Sequence, residues 1–279
     1  MQASFLAAVI GLGGCSAVEL AYDNAHWLIR YQIEEYFNLT DDQEEFLDHR
    51  LKALIHWHRD QELPQYADYL QQFARLAHDG LTRSELQRFF ELVNQARLRL
   101  LKKSLPDLAK ILATLSPEQL REFDTKIRTS WREQFTRFNR SAEEWRNERF
   151  DKFIDILESW VGDLSEPQIQ HIKALTDQLP DDFPQWMTLR QRRHEVFMRM
   201  MMKRPDARTI YERLDRWWSN VGANTAPEFR RIRDRWWNAR LNLLLEIDKI
   251  VTPDQRRHAL EQLTEIREEF TRLSARRRK

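Results

Sequence analysis

The sequence predicts an all-α protein, either a multi-helix bundle or an extended array of helical hairpins, with no β-sheet. Three observations lead to this prediction. Only 6 glycines and 9 prolines occur among 279 residues, too few for the many turns that a large sheet needs. Apolar residues recur at helical spacings of three, four and seven through most of the chain. A helix-start signature also recurs along it.

The helix-start signature is Ser or Thr after an apolar residue, followed three positions later by Gln or Glu. The hydroxyl of the Ser or Thr accepts from a free backbone N–H, and the later side chain completes a capping box. Pro117 and Pro253 take the first helical position, where a missing N–H costs nothing. Each copy therefore predicts the start of a helix. The copies are Leu39–Gln43, Leu81–Glu85, Leu115–Gln119, Leu164–Gln168 and Val251–Gln255.

Helix ends are predicted from glycine and proline. Gly80 and Gly162 have the positions of C-cap glycines, and Pro64 and Pro106 are expected to kink or restart helices. The long segment 117–160 is expected to break near 139–141. The predicted helices are 19–37, 41–62, 64–78, 83–103, 105–113, 117–160, 166–178, 183–203, 206–220, 226–249 and 253–275.

Composition narrows the function classes. The 45 Lys and Arg nearly balance the 44 Asp and Glu, which argues against a general nucleic-acid binder. A single cysteine, Cys15, cannot form an internal disulfide or a cysteine-based zinc site. The sequence contains no Gly-rich phosphate loop and no nucleophile elbow. It therefore predicts a non-enzyme, with no catalytic residue, no cofactor and no small-molecule substrate.

The N-terminus has the pattern of a lipoprotein signal peptide. An apolar run at 5–12 is too short to span a bilayer but has the length of a signal-peptide core. Leu12–Cys15 resembles the bacterial lipobox, which implies acylation of Cys15, removal of residues 1–14 and anchoring by lipid. Ser16 implies the periplasmic face of the outer membrane of a Gram-negative bacterium. The alternative is a buried apolar helix with an incidental cysteine, because 1–12 has no Lys or Arg.

The rest of the chain is predicted to follow this anchor in three parts. Residues 15–38 would hold the lipidated N-terminus and the first helix, 39–162 an N-terminal helical half and 163–279 a C-terminal helical half. The basic run Arg276–Lys279 is expected to be a solvated helix end, or to touch anionic head groups if the anchor is correct.

Two family resemblances refine this interpretation. The chain resembles a family of uncharacterised proteobacterial lipoproteins, which implies a cellular location but no activity. Leu39–Gln43 is also similar to the Leu-Thr-x-x-Gln motif of the small helical periplasmic chaperones of the Spy and CpxP type, although a capping box has the same letters. The residues that carry the first resemblance are Cys15, Leu20, Tyr22, Asn24, Trp27, Tyr36, Leu39, Thr40, Gln43, Trp57–Arg59, Glu62–Pro64 and Tyr66.

Three residues of the types that bind metal ions lie close together in the sequence: His56, His58 and Glu62. His58 and Glu62 are four residues apart and share a helix face, whereas His56 points about 200° away from His58. A zinc site needs three or four convergent ligands, so a structural or ion-pair role is favoured over a metal site.

Aromatic and methionine clusters are the candidate partner-binding residues. The sequence Asp-Arg-Trp-Trp occurs twice and places Trp217, Trp218, Trp236 and Trp237 on two helices that are expected to face each other. Tryptophan and arginine are enriched at binding hot spots, although core packing gives the same pattern. Met198 and Met201 lie in a methionine-rich run that suits either an adaptable surface or an irregular core.

Three functions remain open. The first is a lipid-anchored periplasmic protein that binds other envelope proteins in a chaperone-like manner, with its partner unidentified. The second is a structural scaffold subunit of an envelope complex. The third is a metal protein or enzyme that uses His56, His58 and Glu62.

Overall fold

The computed structural model describes residues 19–20, 22–219 and 227–276, and this part of the chain contains helices and connections without any β-strand. The predicted all-α fold is confirmed. The helices are α1 Ala25–Phe37, α2 Asp41–Trp57, a π-helical turn His58–Glu62, α3 Leu63–Ala77, α4 Arg83–Thr114, α5 Pro117–Arg140, α6 Ala142–Val161, α7 Glu166–Thr176, α8 Phe183–Met201, α9 Ala207–Ser219, α10 Pro227–Ile250 and α11 Pro253–Ala275. The predicted signal peptide, Cys15, the connection between the predicted helices 206–220 and 226–249, and residues 277–279 lie outside the described residues.

The predicted helix starts are confirmed at all five signatures. Capping boxes form at the N-termini of α2, α4, α5, α7 and α11. Gly162 is the C-cap of α6, with a φ of 79°, as predicted. Gly80 has a φ of 100°, but it lies two residues beyond the C-cap of α3, which is His78. The predicted break near 139–141 lies at Ser141, whose hydroxyl accepts from the backbone N–H of Glu144 and starts α6.

The predicted interruption at Pro106 is wrong, because α4 runs through it without a break. A proline inside a helix removes one hydrogen bond and crowds the preceding turn. Leu105 and Ala109, on either side of Pro106, are each 1% exposed and belong to one core cluster. Burial of this face therefore holds α4 helical through a residue that local preference would use to end it.

The predicted boundary at Pro64 is replaced by a widened turn. The chain remains helical from Asp41 to Ala77, but between His58 and Glu62 it forms a π-helical turn. The backbone N–H of Leu63 donates to the carbonyl of His58, five residues back. Because Pro64 cannot donate to the carbonyl of Asp60, widening the turn before it accommodates the ring without ending the helix.

The helices of the two predicted halves pack against each other. α11 lies along α3 and α9 lies along α4, so elements from 163–279 cover elements from 39–162. The largest described core cluster joins α4, α5, α8 and α9 through Leu105, Leu112, Leu120, Met201 and Ile210. No described helix has both the length and the apolar character needed to cross a membrane.

Candidate functional site

The Leu-Thr-x-x-Gln elements meet in space as reciprocal glutamine pairs. Gln43 and Gln119 are each 7% exposed, and each side-chain amide donates to the carbonyl oxygen of the other, at 3.3 and 2.7 Å. Gln119 Nε2 also donates to the Asn38 carbonyl at 2.9 Å, and Gln43 Nε2 to the Thr114 carbonyl at 3.0 Å. The pair therefore fastens the start of α2 to the start of α5.

The same arrangement occurs a second time in the chain. Gln168 and Gln255 donate to each other at 2.8 and 3.1 Å, which joins the starts of α7 and α11. Their amides also donate to the carbonyls of Ile250 and Asp163. The remaining copy has Glu85, whose carboxylate accepts from Thr82 of its own box. A carboxylate has no N–H to donate, so Glu cannot form the reciprocal pair.

Four aromatic rings from three helices form a row that ends at Trp237. The row, which we call the aromatic ladder, consists of Phe73 on α3, Phe89 and Phe90 on α4, and Trp237 on α10. Successive ring centroids are 4.1, 5.8 and 4.9 Å apart. All four side chains are half-buried. The ladder is therefore an apolar seam that solvent still reaches.

Trp236 lies beside the ladder on the same helix, next to Trp237. Its indole makes an edge contact with Trp186 of α8 at 6.3 Å, and Arg240 Cζ stacks 4.0 Å from its ring centre. Desolvation together with the charge of Arg149 lowers the pKa of Arg240 to about 10, so the guanidinium stays charged at neutral pH. A charged, partly desolvated guanidinium therefore stacks on a half-buried indole.

The first tryptophan pair has a different environment. Trp217 and Trp218 are half-buried and pack against the core cluster of α4, α5, α8 and α9. Met198 packs against the same cluster, and Met201 is 2% exposed within it. In the described residues, the ring contacts of the second pair are with Trp186 and Phe90, and none is with Trp217 or Trp218.

The candidate metal ligands have separate protein partners. Glu62 is 1% exposed and accepts from both Nε and Nη2 of Arg99, each at 2.8 Å. His56 Nε2 lies 3.1 Å from Asp60 Oδ2, and His58 Nδ1 lies 3.2 Å from the Tyr22 hydroxyl. Within the described residues no three His, Cys, Asp or Glu side chains are placed to share a metal ion. Glu62 thus forms a bidentate ion pair across two helices.

Burial sets the protonation of the groups around the π-helical turn. It lowers the pKa of His58 and raises the pKa of Tyr22 to about 12, so both are neutral at physiological pH. The Tyr22 hydroxyl donates to the Ile55 carbonyl at 3.1 Å. Its oxygen is then free to accept from His58 Nδ1–H, which assigns the hydrogen to Nδ1. His58 and Tyr22 therefore form a neutral hydrogen-bonded pair beside the charged Glu62–Arg99 pair.

Glu269 on α11 is a buried carboxylate without a matching donor. It is 2% exposed, and neither oxygen accepts a hydrogen bond from a described residue, with Arg272 Nη2 at 3.6 Å. Burial raises its pKa above the ordinary 4.5, although Arg272 opposes the rise. The folded chain therefore binds more protons than the unfolded chain, and stability falls as pH rises from 4.5 through the folded pKa.

We expect Glu269→Gln to raise the free energy of unfolding by about 1 kcal/mol at pH 7, because it removes a buried charge that lacks donors. At pH 4, where the folded carboxyl is protonated, the two proteins should unfold alike. Urea titrations at both pH values measure this. Glu268→Gln, at an exposed neighbour paired with Arg267, is the control and should change little. An equal gain at both pH values would show that ionisation is not the cause.

Sequence reasoning missed several partners of the residues it selected. Arg99 lies 37 positions from Glu62, and Phe73, Phe89, Phe90 and Trp186 complete the surroundings of Trp236 and Trp237. The signal in the sequence was the adjacent pair Phe89-Phe90 on a predicted helix.

Two solvent-open grooves, of about 470 and 410 Å³, follow the α3–α11 contact and share Gln71 and Arg267 in their linings.

Comparison with known proteins assigns a family. A model described as "Family of unknown function (DUF6279)" matches residues 35–230, well over half of the chain. The chain therefore belongs to this family. No curated protein and no solved structure matches it significantly.

Proposed function

We propose that this member of the DUF6279 family is a lipid-anchored protein of the periplasm that binds other envelope proteins through the aromatic ladder and the adjacent Trp236–Arg240 stack. The anchor would be acylated Cys15 at the outer membrane. The bound partners would be envelope proteins with exposed apolar segments, as for a chaperone. The proposed role requires no metal, cofactor or chemical reaction.

The observation that carries the proposal is the half-buried ring row beside a cation. Large rings that are partly exposed to solvent offer apolar area to a partner, and they lose little side-chain entropy on binding. Trp and Arg are also enriched among the hot-spot residues of protein interfaces. Arg83 donates to Asn238 at 3.2 Å, and Arg235 pairs with Asp182, which is 3% exposed. Arginines thus border the rings from two helices, as a polar rim borders an apolar interface centre.

The glutamine pairs support a rigid frame behind this surface. Each pair joins two helix starts that are far apart in sequence and also binds the end of a helix that carries rings. Gln43 donates to the Thr114 carbonyl at the end of α4, and Gln168 donates to the Ile250 carbonyl at the end of α10. The resemblance of Leu39–Gln43 to the periplasmic chaperone motif agrees with a binding role. A pre-formed surface binds with a smaller loss of conformational entropy.

A light-scattering assay with an aggregating client protein tests the proposal. We expect the chain from residue 16 onward to suppress aggregation near equimolar ratio, and Trp236→Ala/Trp237→Ala to weaken suppression at least about fivefold, since each hot-spot truncation removes 1 kcal/mol or more. Arg240→Gln, which leaves every ring in place, should weaken it less. Circular dichroism and thermal unfolding confirm that each variant remains folded.

Phe135→Ala is the matched control, since Phe135 is 42% exposed on α5 and outside the ladder. It should suppress aggregation like the parent protein. Equal suppression by the folded tryptophan variant would remove the ladder from the proposal. No suppression by the parent protein would favour the scaffold alternative, with one fixed partner to be sought by cross-linking in the intact envelope.

A further inference from the structure

Two arginines from different helices lie beside the Trp236 indole without an acidic partner. Arg240 on α10 stacks 4.0 Å from the centre of the Trp236 ring, and Arg149 on α6 lies close enough for its charge to repel that of Arg240. Among the described residues, neither arginine forms an ion pair with a carboxylate. Both side chains are open to solvent, so an anion from outside can reach them.

The packing of α6 and α10 in one core cluster holds the two arginines near each other. Ile154 of α6 belongs to the same buried cluster as Leu243 and Ile247 of α10. Leu243 lies about one helical turn beyond Arg240. Ile154 likewise lies little more than one turn beyond Arg149. The core therefore keeps two like charges close together at the surface, although they repel each other.

Neither arginine has an acidic neighbour along its own helix. Helix residues three or four positions apart face one another, and such a neighbour pairs Arg208 with Glu212 on α9. The corresponding positions hold only tryptophan and leucine around Arg240, and only aromatic or basic residues around Arg149. The described structure therefore leaves both charges uncompensated.

The helices around this site have an excess of positive charge. α8, which carries Trp186, and residues 227–240 of α10 together contain nine arginines and three acidic residues. The neighbouring Asp182 is already paired with Arg235. The whole chain is nearly balanced, with 45 basic and 44 acidic residues, so the excess is local. Such a local field attracts an anionic partner and disfavours a cationic one.

We infer that Arg149 and Arg240 are the anion-binding part of the proposed interface, and that they bind a carboxylate in an acidic segment of the partner protein. The N–H groups of a guanidinium lie in its plane, so a stacked arginine can still donate two of them to one carboxylate. A bound carboxylate would also offset the repulsion between the two arginines.

The adjacent rings indicate what lies next to the carboxylate. Trp236 and Trp186 are half-buried, and they contact each other beside Arg240. They fit an apolar side chain of the same segment, which an inorganic phosphate lacks. The inference rests on the proposed function and specifies its partner: a segment in which acidic residues stand next to apolar ones.

Fluorescence anisotropy with two labelled peptides tests the inference. One peptide has Asp and Glu between Leu and Phe residues, and the other has Asn and Gln in place of the acids. The chain from residue 16 onward should bind the acidic peptide at least about tenfold more tightly at low salt, because charged pairs add to the apolar contact. The difference should shrink at high salt, where the charges are screened.

Variants at the two arginines locate this preference. Arg240→Gln and Arg149→Gln should each reduce it to about twofold or less. Arg149→Glu should abolish it, because the introduced carboxylate would pair with Arg240 within the same chain. Arg208→Gln, which removes an exposed charge on α9, is the control and should keep the full preference. Circular dichroism confirms that each variant remains folded.

Equal affinity for the two peptides would overturn the inference, as would a full preference retained by Arg240→Gln. So would binding to phosphatidylglycerol vesicles that requires Arg240 while neither peptide binds, which would assign the arginines to lipid phosphate. Aggregation suppression by the parent protein is measured in parallel. Suppression without an acidic preference refutes the inference alone, whereas an acidic preference without suppression refutes the chaperone-like role alone.

Discussion

Arg99→Met is expected to lower the free energy of unfolding by about 3 kcal/mol, since it leaves Glu62 buried and charged without its partner. The Glu62 side chain is 1% exposed, whereas that of Arg99 is 34% exposed. Both carboxylate oxygens lose a charge-assisted hydrogen bond of 2.8 Å, and nearby water cannot replace the guanidinium. Urea unfolding followed by circular dichroism measures the change.

Because Glu62 is more deeply buried than Arg99, the loss of Arg99 is expected to cost more stability than the loss of the Glu62 charge. Glu62→Gln should cost less, about 1 kcal/mol, because the remaining arginine reaches water and still donates to the amide oxygen and to Tyr69. Arg97→Met, two residues away on the same helix, is the control. Arg97 bonds the Asn94 side chain, and its replacement should cost about 0.5 kcal/mol or less. A larger loss for Glu62→Gln than for Arg99→Met would contradict the assigned burial.

Gln119→Ala is expected to destabilise the protein by about 2–3 kcal/mol, since it removes four buried or half-buried hydrogen bonds at once. Gln119 accepts from the backbone N–H of Ser116 at 2.8 Å and from the Gln43 amide, and it donates to the Asn38 carbonyl and to Gln43. The matched change at the unpaired box, Glu85→Ala, removes only bonds within its own cap and should cost about 1 kcal/mol. Thermal and urea unfolding compare the two.

A double-mutant cycle isolates the pairing itself. Gln43→Ala and Gln119→Ala should couple by about 1 kcal/mol, because the two amides bond each other. Gln43→Ala and Gln255→Ala, which affect different pairs, should be additive. Additivity in the first cycle as well would show that the cost arises from the separate caps and not from the reciprocal pair.

Local chemistry accounts for what the sequence predicted well. Each capping box joins residues three positions apart, so Thr40 with Gln43 or Thr252 with Gln255 specifies a helix start without reference to the rest of the chain. The break at Ser141 and the C-cap at Gly162 are local in the same sense. Pro106 failed as a stop signal because burial of Leu105 and Ala109 outweighs one lost hydrogen bond.

The candidate sites depended more on tertiary contacts. The sequence selected Trp236 and Trp237 but also Trp217 and Trp218, because adjacent tryptophans have the same spacing whether they pack in a core or border a surface. The structure distinguishes them: the first pair contacts the core cluster, and Trp237 extends a ring row from two other helices. His58 and Glu62 have the spacing of metal ligands, but in the structure Glu62 pairs with Arg99, a partner that no local sequence pattern indicates.

The sequence alone determined the helical class and the five capped helix starts, because these follow from composition and from contacts a few residues apart. Only the tertiary structure decided which Gln meets which, that Glu62 pairs with Arg99, and that Arg276 lies beside Glu19 and Asp23. These contacts join residues 37 to 257 positions apart. Periodicity gives the face on which a side chain lies but not the partner opposite it, because the partner depends on how the helices pack.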